Sequence, residues 1–210
     1  MSGRGPRLIS VNRGTQLGDM ELGTLVKLNE NGTPAEFYVA CHNYEAGLNG
    51  NGRTLVVRKD CYDMQVFSSK KSSYSSSDLD AFLVGTYFNL LDAGVREMVG
   101  TTKFYSTDAP TLERSVFQLS VTELVDSGSA GGAPKEGSIL PIASLLRVAQ
   151  LKGTAISQWT RTPFTSFPGF VYSFDNIGMA SALPYANPCG SRPAFTLPAS
   201  TLVVDDLLIA

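Results

Sequence analysis

Histidine is almost absent from this chain, cysteine is scarce, and charge is thin. The single histidine, His42, would have to serve any Ser-His-Asp or Cys-His relay. Its place at the end of an apolar run reads instead as a polar residue closing a strand. Cys41, Cys61 and Cys189 are odd in number and widely spaced, which excludes a disulfide framework. Free, mostly buried thiols are expected, with Cys41–Cys61 the one pairing left open. No His/Cys cluster has zinc spacing, and no catalytic, metal or cofactor set emerges. Charged residues make up 17% of the chain and the net charge is −2, with Lys70-Lys71 the only lysine pair. That rules against the basic stripe on which nucleic-acid binding depends. No apolar run reaches about 18 residues, so no membrane span is expected. The first thirteen residues carry Arg4, Arg7 and Arg13 but no apolar core of a signal peptide, so synthesis in a cytosol without general export is expected.

Two further patterns carry little chemistry. Gly131 to Ser138 contains glycines, Lys135 and a serine, but the order is not that of a phosphate loop and no strand leads into it. Asp78 and Asp80 suit the first turn of a helix, and Asp205-Asp206 a solvated tail.

What is present is glycine, proline and aromatic residues in a chain long enough for one domain, or for one domain plus an arm. Residues 1–20 read as an N-terminal arm anchored by Leu8, Ile9 and Val11, and 21–210 as the domain. Asn31-Gly32 between Thr24–Leu28 and Glu36–Ala40 predicts a hairpin, because both residues tolerate positive φ. Thr54–Val57 and Ser115–Leu119 read as strands. Seven serines between Ser68 and Ser77 form a polar loop that ends in a helix cap. Leu79, Phe82, Leu83, Tyr87, Leu90 and Leu91 then recur at helical spacing, with a short second helix near Val95–Val99. Ser120–Glu123 has capping-box spacing and predicts a brief helix. Pro141–Leu151 reads as an amphipathic helix.

The densest signal lies late in the chain. Seven of its twenty aromatic residues fall between Trp159 and Tyr185, in a stretch interspersed with proline and glycine and almost free of charge. The pattern predicts a long irregular loop held between strands near Gln158–Pro163 and Gly190–Pro198. Phe164, Phe167, Phe170, Tyr172, Phe174 and Tyr185 are its candidate ligand- or partner-binding residues, because aromatic side chains give contact area at small entropic cost. Trp159 is expected in the core. Arg161 and Arg192 are expected to fix the loop base by bonding carbonyls and packing on rings, against the alternative of meeting an anionic ligand.

An ordered set of short motifs resembles a known family. It runs through Glu21–Lys27, Phe37–Val39, Ser77–Leu83, Tyr87–Asp92, Val116–Glu123, Trp159–Pro163 and Ser191–Pro198. The series resembles an uncharacterised domain family of gut Firmicutes and their bacteriophages. That family is C-type-lectin-like, in the branch that includes formylglycine-generating enzymes and retroelement-diversified receptor-binding proteins. The resemblance covers about residues 20–200. It implies an α+β class: a C-type-lectin-like fold with small twisted antiparallel sheets, two main helices and long loops. Gln158 stands where the family usually has an aromatic residue. The Glu-Pro-Asn, Gln-Pro-Asp and Trp-Asn-Asp calcium motifs of true lectins, and the catalytic cysteine pair of formylglycine-generating enzymes, have no match.

The resemblance implies a non-enzymatic bacteriophage virion protein, assembled in the host cytoplasm and associated with the tail or host attachment. Its arm would engage other virion proteins, and its 164–190 loop a receptor (a host surface glycan or protein) or a neighbouring subunit. A homo-oligomer, with a trimer as the form, is expected. A head decoration or fibre protein, or a bacterial glycan- or protein-binding module without signal peptide, is the alternative. Cofactors, nucleic acid and membrane are not expected partners.

Overall fold

A computed structural model describes residues 14–205 and 207–209. Leu8, Ile9 and Val11, the expected arm anchors, lie outside the described residues. From the N-terminus the strands are β1 (Thr15–Gln16), β2 (Leu25–Glu30), β3 (Thr33–His42), β4 (Arg53–Arg58) and β5 (Asp63–Val66). Then come β6 (Thr102–Phe104), β7 (Leu112–Arg114), β8 (Ala149–Leu151), β9 (Thr154–Ile156), β10 (Gln158–Pro163) and β11 (Phe170–Phe174). The chain closes with β12 (Ala180–Pro184), β13 (Pro188–Ser191), β14 (Ala194–Pro198), β15 (Leu202–Val204) and β16 (Leu207–Ile209).

A seven-stranded sheet has the order β1-β15-β16-β2-β3-β4-β14, and a five-stranded sheet the order β12-β11-β10-β13-β5. Two ribbons, β6–β7 and β8–β9, complete the set. Pairing is antiparallel except at β16–β2 and β10–β13. The class is α+β, with small, mostly antiparallel sheets and few helices. Thr15 and Gln16 pair with Val203 and Leu202, and Leu17 is fully buried. Of the expected 1–20 arm, Thr15–Gln16 thus join the sheet, and Leu17 opens a 3-10 turn with its side chain in the core.

Val26, Leu28 and Glu30 of β2 alternate inward. The hairpin turns on Asn31 (φ 49°) and Gly32 (φ 72°), pairing Glu30 with Thr33 across a two-residue loop. The expected helix begins at Ser77, whose hydroxyl accepts from the Asp80 N–H at 3.0 Å. It runs as α-helix over Asp78–Ala81, widens to a π-helix over Phe82–Tyr87 and closes with an α turn at Phe88–Leu90. Leu79, Leu83, Tyr87 and Leu91 are buried at four-residue intervals. That spacing would drift across the face of a regular 3.6-residue helix, and a wider turn keeps it in line. Ala93–Met98 forms the second helix.

Three sequence expectations change. Ser115–Leu119 contributes only the isolated bridge Phe117–Ala194 rather than a strand. At Ser120–Glu123 the capping box forms, with Glu123 N–H donating to Ser120 Oγ (3.1 Å) and Ser120 N–H to Glu123 Oε2 (2.7 Å). It closes a single turn, because Glu123 is drawn into the core instead of heading a helix. Pro141–Leu151 is helical only over Ala143–Leu146. Lys152 (φ 52°) and Gly153 then reverse the chain, so that residues 149–151 pair with β9.

The two sheets share one core. An aromatic chain crosses it, from Trp159 through Phe67, Tyr74, Phe104 and Phe117 to Tyr44, with successive centroids 4.6–6.4 Å apart.

Candidate functional site

The segment 164–190 is not one irregular loop. It is a meander in which β11 lies between β10 and β12, and β13 follows on the far side of β10. Two expected contact residues fall inside it: Phe174 is fully buried and Tyr172 is 4% exposed. Both faces of β11 are covered. The core takes one, and the loop after Asp126 takes the other, where the Tyr172 hydroxyl donates to the Ala130 carbonyl at 3.0 Å. Phe164, Phe170 and Tyr185 are half-buried. Only Phe167, 62% exposed at the turn between β10 and β11, stands clear, with its ring parallel to that of Phe164 at 6.0 Å.

Trp159 is fully buried and its indole N–H donates to the Gln65 carbonyl at 2.8 Å. Arg161 lies under the same sheet. Its guanidinium pairs with Glu123 (2.7 Å), donates to the carbonyls of Tyr105, Gln118 and Glu136, and sits 4.6 Å above the Phe104 ring. Burial works against that charge, but Glu123, with Tyr44 and Glu136, holds the guanidinium protonated well above its ordinary range. Glu136, also fully buried, accepts from Thr107 N–H (2.6 Å) and from the Thr162 hydroxyl. Arg192 has no carboxylate partner among the described residues. It donates to the carbonyls of Arg58 (2.7 Å), Lys59 (2.6 Å) and Leu146, and burial lowers its pKa to about 10. Gln158 is buried and donates to the Leu146 and Arg147 carbonyls, both at 2.9 Å, which ties the short helix to β10. These polar side chains are committed to holding backbone.

His42 is held between the Thr54 hydroxyl (3.0 Å) and the Met20 carbonyl (2.9 Å). Cys41, Cys61 and Cys189 are free thiols, so Cys41–Cys61 is not bridged. Among the described residues no group of three His, Cys, Asp or Glu side chains is arranged to hold a metal ion.

Sequence reasoning passed over the surface beside the meander. The turn between β11 and β12 carries Ile177 (72% exposed) and Met179 (61% exposed). Asp175 Oδ1 accepts from both of their N–H groups, at 3.0 and 2.8 Å, so the turn is fixed. A Cβ placed on Gly178 between them would lie 3.0 Å from Val148 Cγ2, which sets the turn against the exposed Val148. Leu145, three residues earlier, is also exposed, and reaches toward Gly23 beside exposed Leu22. The row Leu22–Leu145–Val148–Ile177–Met179 runs on to β12, an edge strand. Val171–Leu183, Ser173–Ser181 and the Asp175–Met179 hydrogen bond set the alternation of β12, so Ala180 and Ala182 turn their N–H and C=O groups to the open edge. Two large apolar residues flanking a turn glycine were the one sequence signal for this surface.

The arrangement is an α+β domain with a hydrogen-bonded polar interior and an uncharged, partly apolar edge. The chain belongs to the family described as a domain of unknown function, DUF6273, whose family model matches residues 51–199. No curated protein and no solved structure matches the chain.

Proposed function

We propose that this domain is a non-enzymatic binding module of a bacteriophage virion, a tail or host-attachment component that contacts a receptor or neighbouring subunit through its 164–190 segment. The observation that carries the binding reading is the open edge of β12 beside exposed Ile177, Met179 and Val148. An uncharged edge strand without a central proline or bulge accepts an added strand, and an adjoining apolar row supplies the side-chain contact. The contact residues within the segment are accordingly Phe167, Ile177, Met179 and the β12 backbone. We further read the architecture as C-type-lectin-like. Its two main helices beside small antiparallel sheets are what that resemblance implies.

The virion setting rests on the motif resemblance, and imaging tests it. Negative-stain micrographs of purified particles with an antibody to this chain are expected to show label at the tail. Absence of the chain from purified particles would overturn the setting. Soluble protein that binds glycans without particle association would favour the bacterial module.

A further inference from the structure

A second feature is independent of the β12 surface. Glu45, Tyr105, Lys135, Gly137 and Ser138 line a cavity of about 380 Å³. Glu45 has a left-handed backbone (φ 45°), an uncommon state for a residue with a long side chain. Its Oε1 accepts only a long 3.3 Å bond from the Ser138 N–H, and no ion pair to it forms among the described residues. Gly137 (φ 102°) leaves room for this carboxylate. A Cβ there would lie 2.9 Å from Glu45 Oε1 and 3.3 Å from Glu123 Oε1, so two carboxylates close on one point.

The local charge is unbalanced. Glu45, Glu123 and Glu136 stand against the buried Arg161 and against Lys135, which is exposed and beyond ion-pair distance of Glu45. Burial holds the Glu45 carboxyl above its ordinary value; the Ser138 N–H opposes this, Glu123 adds to it, and Arg161 and Lys135 oppose it. Tyr105, 40% exposed, lines the same space. An anion would meet the Glu45 carboxylate here, with that of Glu123 buried close by. A neutral polar ligand would leave the excess charge in place. A cation removes the imbalance and gains the ring face.

We propose that this cavity binds a primary ammonium group, held by the Glu45 carboxylate and covered by the Tyr105 ring. An ammonium offers three donors to an acceptor that now has one weak partner. The shared chemistry could come from a lysyl side chain of a partner protein or from an amino sugar of a glycan.

Calorimetric titration of the full chain with Nα-acetyl-lysine methylamide, glucosamine and, as uncharged control, N-acetylglucosamine separates these sources. Saturable binding of either amine, with none of the control, is expected; the tighter amine names the source. Glu45→Gln is expected to weaken binding by about tenfold or more, since it removes a charge-assisted bond. Tyr105→Ala, at a surface position, weakens it without loss of fold. Lys135→Ala strengthens it by removing a like charge. Affinity falls as pH drops through the raised Glu45 titration, with Glu123, Arg161, Lys135, Tyr44 and Cys41 the charged and titratable groups facing it. Binding of neither amine, binding unchanged in both Glu45→Gln and Tyr105→Ala, or weaker binding in Lys135→Ala would overturn the proposal.

Discussion

Arg161 and Glu123 form a 2.7 Å ion pair in which neither side chain reaches solvent. Glu123 enters it from a closed capping turn, with Ser120 N–H and the Tyr44 hydroxyl filling its other acceptor sites. Arg161 enters it from β10 and spends its remaining donors on three carbonyls of neighbouring loops. The pair therefore joins the five-stranded sheet to the loops around 105, 118 and 136.

Breaking one side of that pair leaves an uncompensated buried charge. Arg161→Met and Glu123→Leu are each expected to lower stability by about 3–5 kcal/mol. The double variant is expected to lose less than the sum, because both charges leave together. Urea unfolding of the three variants measures this, and additive losses would contradict the coupling.

Ile177 lies at the other extreme. Its 72% exposure predicts that Ile177→Asp changes folding stability by no more than about 0.5 kcal/mol. The same change is expected to abolish partner association through the β12 edge. Ala182→Pro, which removes an outward N–H, acts on the same edge. Thermal melts alongside incorporation into particles separate the two effects. Normal incorporation of Ile177→Asp would remove the apolar row from the contact.

The thiols should be silent while the protein is folded. Burial pushes Cys61 up to about 11 and Cys189 up to about 12, and burial with Glu45 and Glu123 raises Cys41 as well. At pH 8, titration with an aromatic disulfide is expected to be slow in buffer and to count three thiols in denaturant. The linkage sign follows from the raised values. Unfolded thiols ionise near 9 while the folded ones stay neutral, so the unfolded state binds fewer protons above that pH. Their contribution is complete below about pH 9 and is lost as pH rises toward 11–12.

Gly32 holds the positive φ of 72° that a two-residue hairpin turn needs. Nothing crowds its Cβ position, so Gly32→Ala tests backbone conformation alone. A loss of about 1–2 kcal/mol is expected, the cost of a left-handed L-residue. A neutral result in chemical denaturation would show that the turn relaxes to another type.

The local features were legible because each depends on neighbours in sequence. Asn31-Gly32 carries its turn, Ser77 caps its helix through Asp80, and the apolar spacing from Leu79 marks the buried face. Trp159 was readable as core, since a lone large ring in an apolar strand has few other places to go. Pro141–Leu151 misled because its periodicity is helical, while the hairpin pairing that makes residues 149–151 a strand is set by the turn beyond them. The aromatic segment misled for a similar reason. Its composition suits an exposed loop, yet strand pairing on both sides of β11 and cover from the loop after Asp126 put Tyr172 and Phe174 inside.

The sequence by itself determined the hairpin, the helix cap and the absence of a zinc-spaced or paired-histidine motif, because propensity and spacing act over a few residues; the α+β class came from the family resemblance. Only the tertiary structure decided which aromatics face solvent, since burial depends on what packs above a strand as well as on the strand. It also decided where Arg161, Glu123, Glu136 and Glu45 meet. Those residues come from four separate stretches of chain, and only folding brings their charges within reach of one another.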